Sequence, residues 1–104
     1  MILYNVTISL DAKVENDWLE WMRTKHIPDV MNTGCFIESR LCRIHAEEEG
    51  GLAYAIAYVA ESQEKYDEYK SKFAPQLQHE HSVKFGGTFA SFRTVLSILE
   101  EYKK

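Results

Sequence analysis

The chain has 104 residues, carries 16 acidic against 12 basic side chains and has a formal net charge of -4. Its basic residues are scattered, which excludes nucleic-acid binding, and no apolar run approaches the roughly 20 residues that span a bilayer. We therefore expect one domain, residues 1–104, in a cytoplasmic protein that has neither a nucleic-acid nor a membrane partner.

The chain begins with a predicted strand and a predicted helix. Residues 2–10 alternate between apolar and polar side chains, which is the period-two pattern of a strand with one apolar face. Residues 15–33 follow with helical spacing, and Gly34 suits the left-handed position just beyond a helix end. The first two elements are therefore β-α.

A pair of strands joined by a turn is predicted next. The strands are residues 35–45 and 52–60, and the segment AEEEGG between them has the charges and paired glycines of an exposed hairpin turn. Cys35 and Cys42 stand seven residues apart in the first of these strands, so their side chains should point to opposite faces. At about 3.3 Å per residue they would lie more than about 20 Å apart, and we expect free thiols in a reducing compartment.

The second half of the chain predicts another helix and a last strand. Ser62 is a candidate N-cap for the helix. Large apolar and aromatic side chains recur on it at helical spacing: Tyr66, Tyr69, Phe73 and Leu77. Pro75 costs this helix a hydrogen bond, so we expect a kink or a restart there, and Gly86 and Gly87 end it. Residues 88–99 make the last strand, which precedes a charged tail.

The resulting order, β-α-β-β-α-β, predicts an α+β ferredoxin-like fold, with a four-stranded antiparallel sheet and both helices on one face. The other sheet face is left uncovered, and the third strand presents to it either its large residues, Leu52 to Tyr58, or three alanines and Val59. Apolar residues on both sides of the last strand, such as Phe92 and Leu96, indicate that this face is covered. We expect a homodimer through the open sheet face, and a monomer with an apolar exposed sheet is the alternative.

Residues of the first helix carry a resemblance to a known superfamily. Trp18 and Trp21 stand upstream of His26-Ile27-Pro28, and Gly34-Cys35-Phe36 leads into the second strand. With these residues the chain resembles the dimeric α/β-barrel superfamily. Within it, the whole chain, including the FRTVL segment of the last strand, is similar to a bacterial family described only as a domain of unknown function.

The resemblance implies a homodimer in which two sheets pack face to face as an α/β barrel, with the helices outside. It also implies a small cavity between the helices and the sheet of each subunit. Relatives in the superfamily include cofactor-free monooxygenases of polyketide biosynthesis, lactone isomerases, haem-processing enzymes and stress-response proteins with no established catalysis. Because one fold carries so many activities, the fold does not determine the function.

His26 is the candidate catalytic residue. At 100° per residue it lies near the centre of the buried stripe of the first helix, beside Met22. Asp29 should lie on the same face, where a His26–Asp29 pair could fix the imidazole tautomer and raise its basicity. In a cavity such a pair could remove an acidic proton from a carbon or a phenol, the first step of a cofactor-free isomerisation or oxygenation. The alternative is a structural His26, bonded to Asp29, a backbone carbonyl or a tyrosine.

Four further residues are candidates for binding a ligand in that cavity. Trp18 and Met22 would form its walls, and His81 and Arg93 would orient the ligand. His79 and His81 point about 200° apart on a helix, so we expect no metal site. Phosphate loops, haem-ligand signatures and dinucleotide fingerprints are missing from the sequence, so no cofactor is predicted either.

Three hypotheses about function remain open. The first is a small-molecule enzyme or binder with its pocket around His26, which a cavity of ~300 Å³ or more between helices and sheet would favour. The second is a non-catalytic dimeric module that regulates or scaffolds a partner and in which His26 is structural. The third is a dimer whose pocket is filled by packing.

Overall fold

The computed structural model describes residues 1–45 and 52–104 and contains one four-stranded antiparallel sheet. The strands are β1 (Ile2–Leu10), β2 (Glu38–Ile44), β3 (Leu52–Ala60) and β4 (Phe89–Ser97), in the spatial order β2-β3-β1-β4. One helical stretch follows β1 and another follows β3, which confirms the predicted β-α-β-β-α-β ferredoxin-like fold. The predicted turn at residues 46–51 lies outside the described residues.

Strand β2 begins at Glu38, three residues later than the sequence pattern predicted. Cys35 and Phe36 are instead buried in the connection before the strand, as part of the core. Pairing with the sheet starts where the backbone N–H of Ile37 donates to the carbonyl of Val59 at 2.8 Å. The packing of two side chains therefore overrides the strand pattern here. Both cysteines are free, as expected.

A π-turn divides the first helical stretch. The stretch consists of α1 (Glu15–Trp21), a π-turn over Met22–His26 and α2 (Ile27–Met31). Pro28 gives the physical reason, because a proline lacks the N–H group and its ring clashes with the carbonyl four residues earlier. The wider i to i+5 bonding of a π-turn relieves that conflict, and the backbone N–H of Ile27 donates to the carbonyl of Met22. Gly34 follows at φ 77°, in the left-handed conformation predicted for it.

The second helical stretch repeats this arrangement. It consists of α3 (Gln63–Glu68), a π-turn over Tyr69–Phe73 and α4 (Ala74–Phe85). Ser62 is the N-cap as predicted, since its hydroxyl accepts from the backbone N–H of Lys65 at 3.2 Å. The restart expected near Pro75 occurs at Ala74. Within residues 1–45 and 52–104, no helix combines the length and the apolar character needed to cross a membrane.

The register of the strands separates a helix-facing side of the sheet from an open side. Val6 in β1 is opposite Ile56 in β3 and Arg93 in β4, so these three side chains face the helices. The core lies between this side of the sheet and the helices. Trp18, Ile56 and Val30 are its most completely buried large side chains.

On the open side of the sheet, β3 carries small side chains and β4 carries two exposed apolar ones. Thr7 in β1 is opposite Ala55 and Phe92, so the alanines of β3 face away from the helices while its tyrosines face them. This settles the two alternatives that the sequence left for the third strand. Phe92 is 70% exposed and Leu96 is 46% exposed on this side. Together they form an apolar patch on an uncovered sheet, a feature typical of interfaces.

Candidate functional site

A cavity of about 200 Å³ lies between the helices and the helix-facing side of the sheet. Apolar side chains form part of its lining: Val6, Ile8, Met22, Ile56 and Phe89. Polar side chains form the rest: Tyr4, His26, Tyr58, Tyr69, Gln78, His81, Ser82, Ser91 and Arg93. We call this the histidine cavity. It is smaller than the ~300 Å³ at which typical ligand pockets begin.

A second cavity of about 320 Å³ adjoins the histidine cavity. The two share four lining residues: Tyr4, Tyr69, Gln78 and Arg93. We call the second one the tyrosine cavity, because Tyr66 joins two of these tyrosines and Arg93 in its wall, beside Lys70. A ligand group placed against Arg93 in the histidine cavity therefore also lies next to the tyrosine cavity.

The two π-turns supply part of the cavity wall. Met22 and His26 are the first and last residues of one π-turn, and Tyr69 is the first residue of the other. All three line the histidine cavity. Because π-turns are rare and occur often at functional sites, their meeting at one cavity marks it as the candidate site.

His81 is fixed by a hydrogen bond from the core. The indole Nε1–H of Trp18 donates to Nε2 of His81 at 2.9 Å, and both side chains are buried. A neutral imidazole that accepts at Nε2 carries its proton on Nδ1. The structure therefore assigns His81 the Nδ1–H tautomer, which makes Nδ1 a hydrogen-bond donor. Phe89 holds the ring from the other side, with ring centroids 4.2 Å apart and nearly perpendicular planes.

His26 lies beside His81 in a different environment. Its ring stacks on Trp21 with centroids 5.1 Å apart, and the centroids of the two imidazoles are 5.8 Å apart. The Nδ1 atom of His26 is buried and has no hydrogen-bond partner among the described residues. A buried polar atom without a partner costs stability, and such atoms are uncommon outside strained or functional places.

Both histidines are neutral at physiological pH. Burial lowers the pKa of His26 to about 4, and Lys25 acts in the same direction, whereas Asp29 and Glu80 oppose it. Burial, with His26 and Arg93 nearby, lowers the pKa of His81 to about 4 as well. Desolvation disfavours the imidazolium ion, and the charges of Asp29 and Glu80 do not offset it at His26. The cavity therefore presents two uncharged imidazoles.

The expected pairing of His26 with Asp29 is wrong. Asp29 forms an i,i+4 salt bridge with Lys25 on the outer side of the helix and does not contact His26. On the α-helical backbone that follows His26, Asp29 is offset toward Lys25, whose ammonium group takes its carboxylate. The pKa of His26 is lowered instead of raised. Asp29 is thus placed away from the histidine cavity.

Trp18 also differs from its predicted role as a cavity wall. Its side chain is 0% exposed and lies behind His81, so a ligand in the cavity cannot touch it. Trp18 positions His81 from within the core. Met22, His81 and Arg93, the other predicted ligand-binding residues, line the histidine cavity together with His26.

Arg93 reaches the cavity from β4, held by a tyrosine. Its Nε–H donates to the hydroxyl of Tyr4 at 3.2 Å, and one terminal nitrogen donates to the hydroxyl of Ser91 at 3.5 Å. Tyr4 is itself buried and stacked near Phe36 with centroids 6.2 Å apart. A packed aromatic residue therefore orients the guanidinium.

The sequence analysis missed several lining residues. Ser91 was predictable, because it shares a face of β4 with Arg93 two residues on. Gln78 and Ser82 are polar positions near the predicted stripe of the second helix, and nothing in the pattern separates them from solvent-facing residues. His79 is exposed on the other side of that helix, and residues 1–45 and 52–104 hold no group of three metal-binding side chains.

Comparisons with known proteins identify a family and a fold. A family profile with the description "Domain of unknown function (DUF4286)" matches residues 1–99. No curated protein matches the chain. A dimeric ferredoxin-like protein from an uncultured marine organism is 15% identical, with a TM-score of 0.71 over 100% of both chains.

Two further solved structures share the fold. An antibiotic biosynthesis monooxygenase-like protein from Bacillus cereus is 12% identical, with a TM-score of 0.70 over 99% of this chain and 97% of that chain. A mutant of MhuD, with two manganese protoporphyrin IX molecules bound per active site, is 15% identical, with a TM-score of 0.71 over 100% of both chains. At these identities the likeness is one of fold.

Proposed function

The chain belongs to the DUF4286 family of unknown function, and we propose that it binds a small planar organic molecule in the histidine cavity. The observation that supports this best is the pair of neutral imidazoles, His26 and His81, that face one cavity beside Arg93. Apolar walls with a few convergent polar groups are typical of small-molecule sites. The solved structures with this fold include a protein that binds a porphyrin and one that is monooxygenase-like. A porphyrin is not the proposed ligand here, because the cavity of about 200 Å³ is too small for so large a ring system.

The chemistry we propose for this site is proton transfer without a cofactor. His26 takes an acidic proton from a carbon or a phenol of the ligand, and His81, held by Trp18, donates a hydrogen bond from Nδ1 to the oxygen on which charge develops. In an isomerisation the proton returns to another carbon, and in an oxygenation the resulting carbanion reacts with dioxygen. A base with a pKa of about 4 is weak at neutral pH, so His26 can take only a proton that is itself acidic.

Blocking the cavity tests the proposal. Ser91→Phe places a phenyl ring in the histidine cavity, whereas Ser97→Phe adds the same ring on the same side of β4 but outside it. In calorimetric titrations with 2-naphthol, we expect wild type and Ser97→Phe to bind alike. Ser91→Phe should bind at least about tenfold more weakly, which is a loss of about 1.4 kcal/mol. Equal binding by both variants, or no binding of naphthol, naphthoate or naphthamide to wild type, would contradict the proposal.

We also propose that the chain forms a homodimer through the open side of its sheet. The exposed Phe92 and Leu96 support this, as do the solved structures of the same fold that are described as dimeric. In sedimentation experiments we expect wild type at twice the mass of one chain and Phe92→Asp at the mass of a monomer, because a charge in the buried interface is costly.

Val83→Asp is the matched control for that experiment, since Val83 is 71% exposed on α4, away from the sheet. It should leave the dimer intact. A monomeric wild type, or a Phe92→Asp variant that sediments as a dimer, would contradict the proposed homodimer.

A non-catalytic dimeric module is the second candidate function. One observation favours it: both histidines pack tightly among aromatic rings, and Trp18 satisfies Nε2 of His81 within the core. In that case the histidines are structural, and the exposed sheet side is the functional surface. The naphthol titrations distinguish the two candidates, because a module of this kind has no reason to bind planar ligands beside His26.

A further inference from the structure

We propose that the ligand is a planar organic acid, with its carboxylate against Arg93 and Lys70 and its apolar body beside His26 and His81. This inference rests on the proposed function and names the class of molecule that the same site would take. The charges and hydrogen-bond donors that line the two adjoining cavities support it.

Arg93 has donors left for a ligand. Its Nε–H is used by Tyr4 and one terminal nitrogen contacts Ser91 at the limit of a hydrogen bond, while the other terminal nitrogen has no partner among the described residues. Arg93 also forms no salt bridge within that part of the chain. A guanidinium presents its N–H groups in a rigid fork that matches a carboxylate. The Tyr4 bond holds this fork at the junction of the two cavities.

The tyrosine cavity adds a second cation and more donors. Lys70 lines it without a salt-bridge partner in residues 1–45 and 52–104, and Gln78 lies across from it on α4. Burial raises the pKa of Tyr69 and of Tyr66, so both phenols remain protonated and can donate to an anion. Neither hydroxyl has an acceptor among the described residues. Tyr66, Tyr69, Lys70 and Gln78 thus line the tyrosine cavity together with Arg93.

No carboxylate lines either cavity in the described part of the chain. This is notable in a protein with 16 acidic residues and a net charge of -4. Among the described residues, the Lys, Arg, Asp and Glu side chains that line the two cavities are Arg93 and Lys70, and both favour a negative ligand. Arg93 also helps to lower the pKa of His81, which indicates that its positive charge is felt inside the histidine cavity.

The shape of the joined cavities favours a carboxylic acid with an apolar body. The histidine cavity is lined by Ile8 and Ile56 of the sheet, by Phe89 packed against His81, and by the two aromatic imidazoles, which suits a flat ring or conjugated chain. An anion bound at Arg93 would also raise the pKa of both histidines toward neutrality, since an opposite charge favours the imidazolium ion. Binding of the acid would thereby strengthen His26 as a base.

A matched pair of ligands tests the inference. 2-Naphthoate and 2-naphthamide have nearly the same shape but differ in charge, and each is titrated into wild type, Arg93→Gln, Lys70→Gln and Arg23→Gln. Arg23 is exposed on the first helical stretch and serves as the control for loss of one positive charge. We expect wild type and Arg23→Gln to prefer naphthoate by about tenfold or more, because charged hydrogen bonds are roughly twice as strong as neutral ones.

The preference should fall to about threefold or less in Arg93→Gln and to an intermediate value in Lys70→Gln, with melting temperatures confirming that each variant is folded. Equal binding of naphthamide and naphthoate to wild type, or an unchanged preference in a folded Arg93→Gln, would overturn the inference while leaving the small-molecule pocket intact. Failure of both compounds to bind wild type, with naphthol also inactive, would overturn the proposed function as well.

Discussion

Acidification from pH 6.5 to pH 4 is expected to destabilise the protein by about 4 kcal/mol through His26 and His81 alone. Each folded-state pKa is about 4, below the ordinary value of 6.5. Between these values the unfolded chain binds more protons than the folded one, so the free energy of unfolding rises with pH and levels off above 6.5. One pKa unit corresponds to about 1.4 kcal/mol, and we take roughly 2 kcal/mol per histidine because both rings border a cavity and neither is completely sealed from solvent.

Histidine variants isolate this contribution from the carboxylates, which titrate in the same range. We expect the free energy of unfolding of His81→Phe, measured with denaturant, to change less steeply with pH between pH 4 and 6.5. About half of the contribution of the two histidines should be lost. His79→Phe is the control, because His79 is exposed on the same helix. If the free energy of unfolding depended on pH equally in wild type and in His81→Phe, burial would not be what keeps His81 neutral. That result would contradict the prediction.

Replacing Trp18 by alanine should lower the free energy of unfolding by about 3–5 kcal/mol. Trp18 is completely buried, and its ring contacts that of Tyr54 with centroids 5.0 Å apart. Its loss leaves a large void and removes the donor to His81. Denaturant unfolding at pH 7.5 measures the change while both cavity histidines are neutral.

A more conservative substitution separates the contribution of the hydrogen bond from that of the lost side-chain volume. Trp18→Phe keeps a ring in place and should cost roughly 1–3 kcal/mol, chiefly by leaving Nε2 of His81 unpaired. In a His81→Phe background the same change should cost less, because no acceptor remains to be stranded. Trp21→Phe is the matched control, since the Trp21 indole donates to no acceptor in residues 1–45 and 52–104. Equal costs for Trp18→Phe in both backgrounds would contradict the proposed coupling.

The fold was predictable because its signals are periodic and local. Alternation over residues 2–10 gave the correct faces of β1, and the stripe from Tyr66 to Leu77 gave the buried side of the second helical stretch. Ser62 and Gly34 marked ends where a specific backbone geometry or cap is needed. Each of these patterns reports a physical requirement that acts within a few residues.

The site was harder to predict because its contacts are not local. His26, Met22, His81 and Arg93 all line one cavity, and their roles as catalytic or ligand-binding residues stay predictions. The bond between Trp18 and His81 joins residues 63 positions apart, and no local pattern reports it. Pro28 indicated a disturbance in the helix but not a π-turn, and the pattern did not show that Lys25 takes the carboxylate of Asp29.

His26 and His81 face one cavity, and we propose that this cavity binds a small planar ligand. Of the four histidines in the chain, these two line the cavity, while His45 and His79 are exposed and act as internal controls. The most direct measurement is the side-chain NMR spectrum of all four imidazoles at pH 7 during a titration with 2-naphthol. We expect saturable shifts of the His26 and His81 signals. The His45 and His79 signals should stay unchanged. Unmoved His26 and His81 signals, or equal shifts of all four, would contradict it.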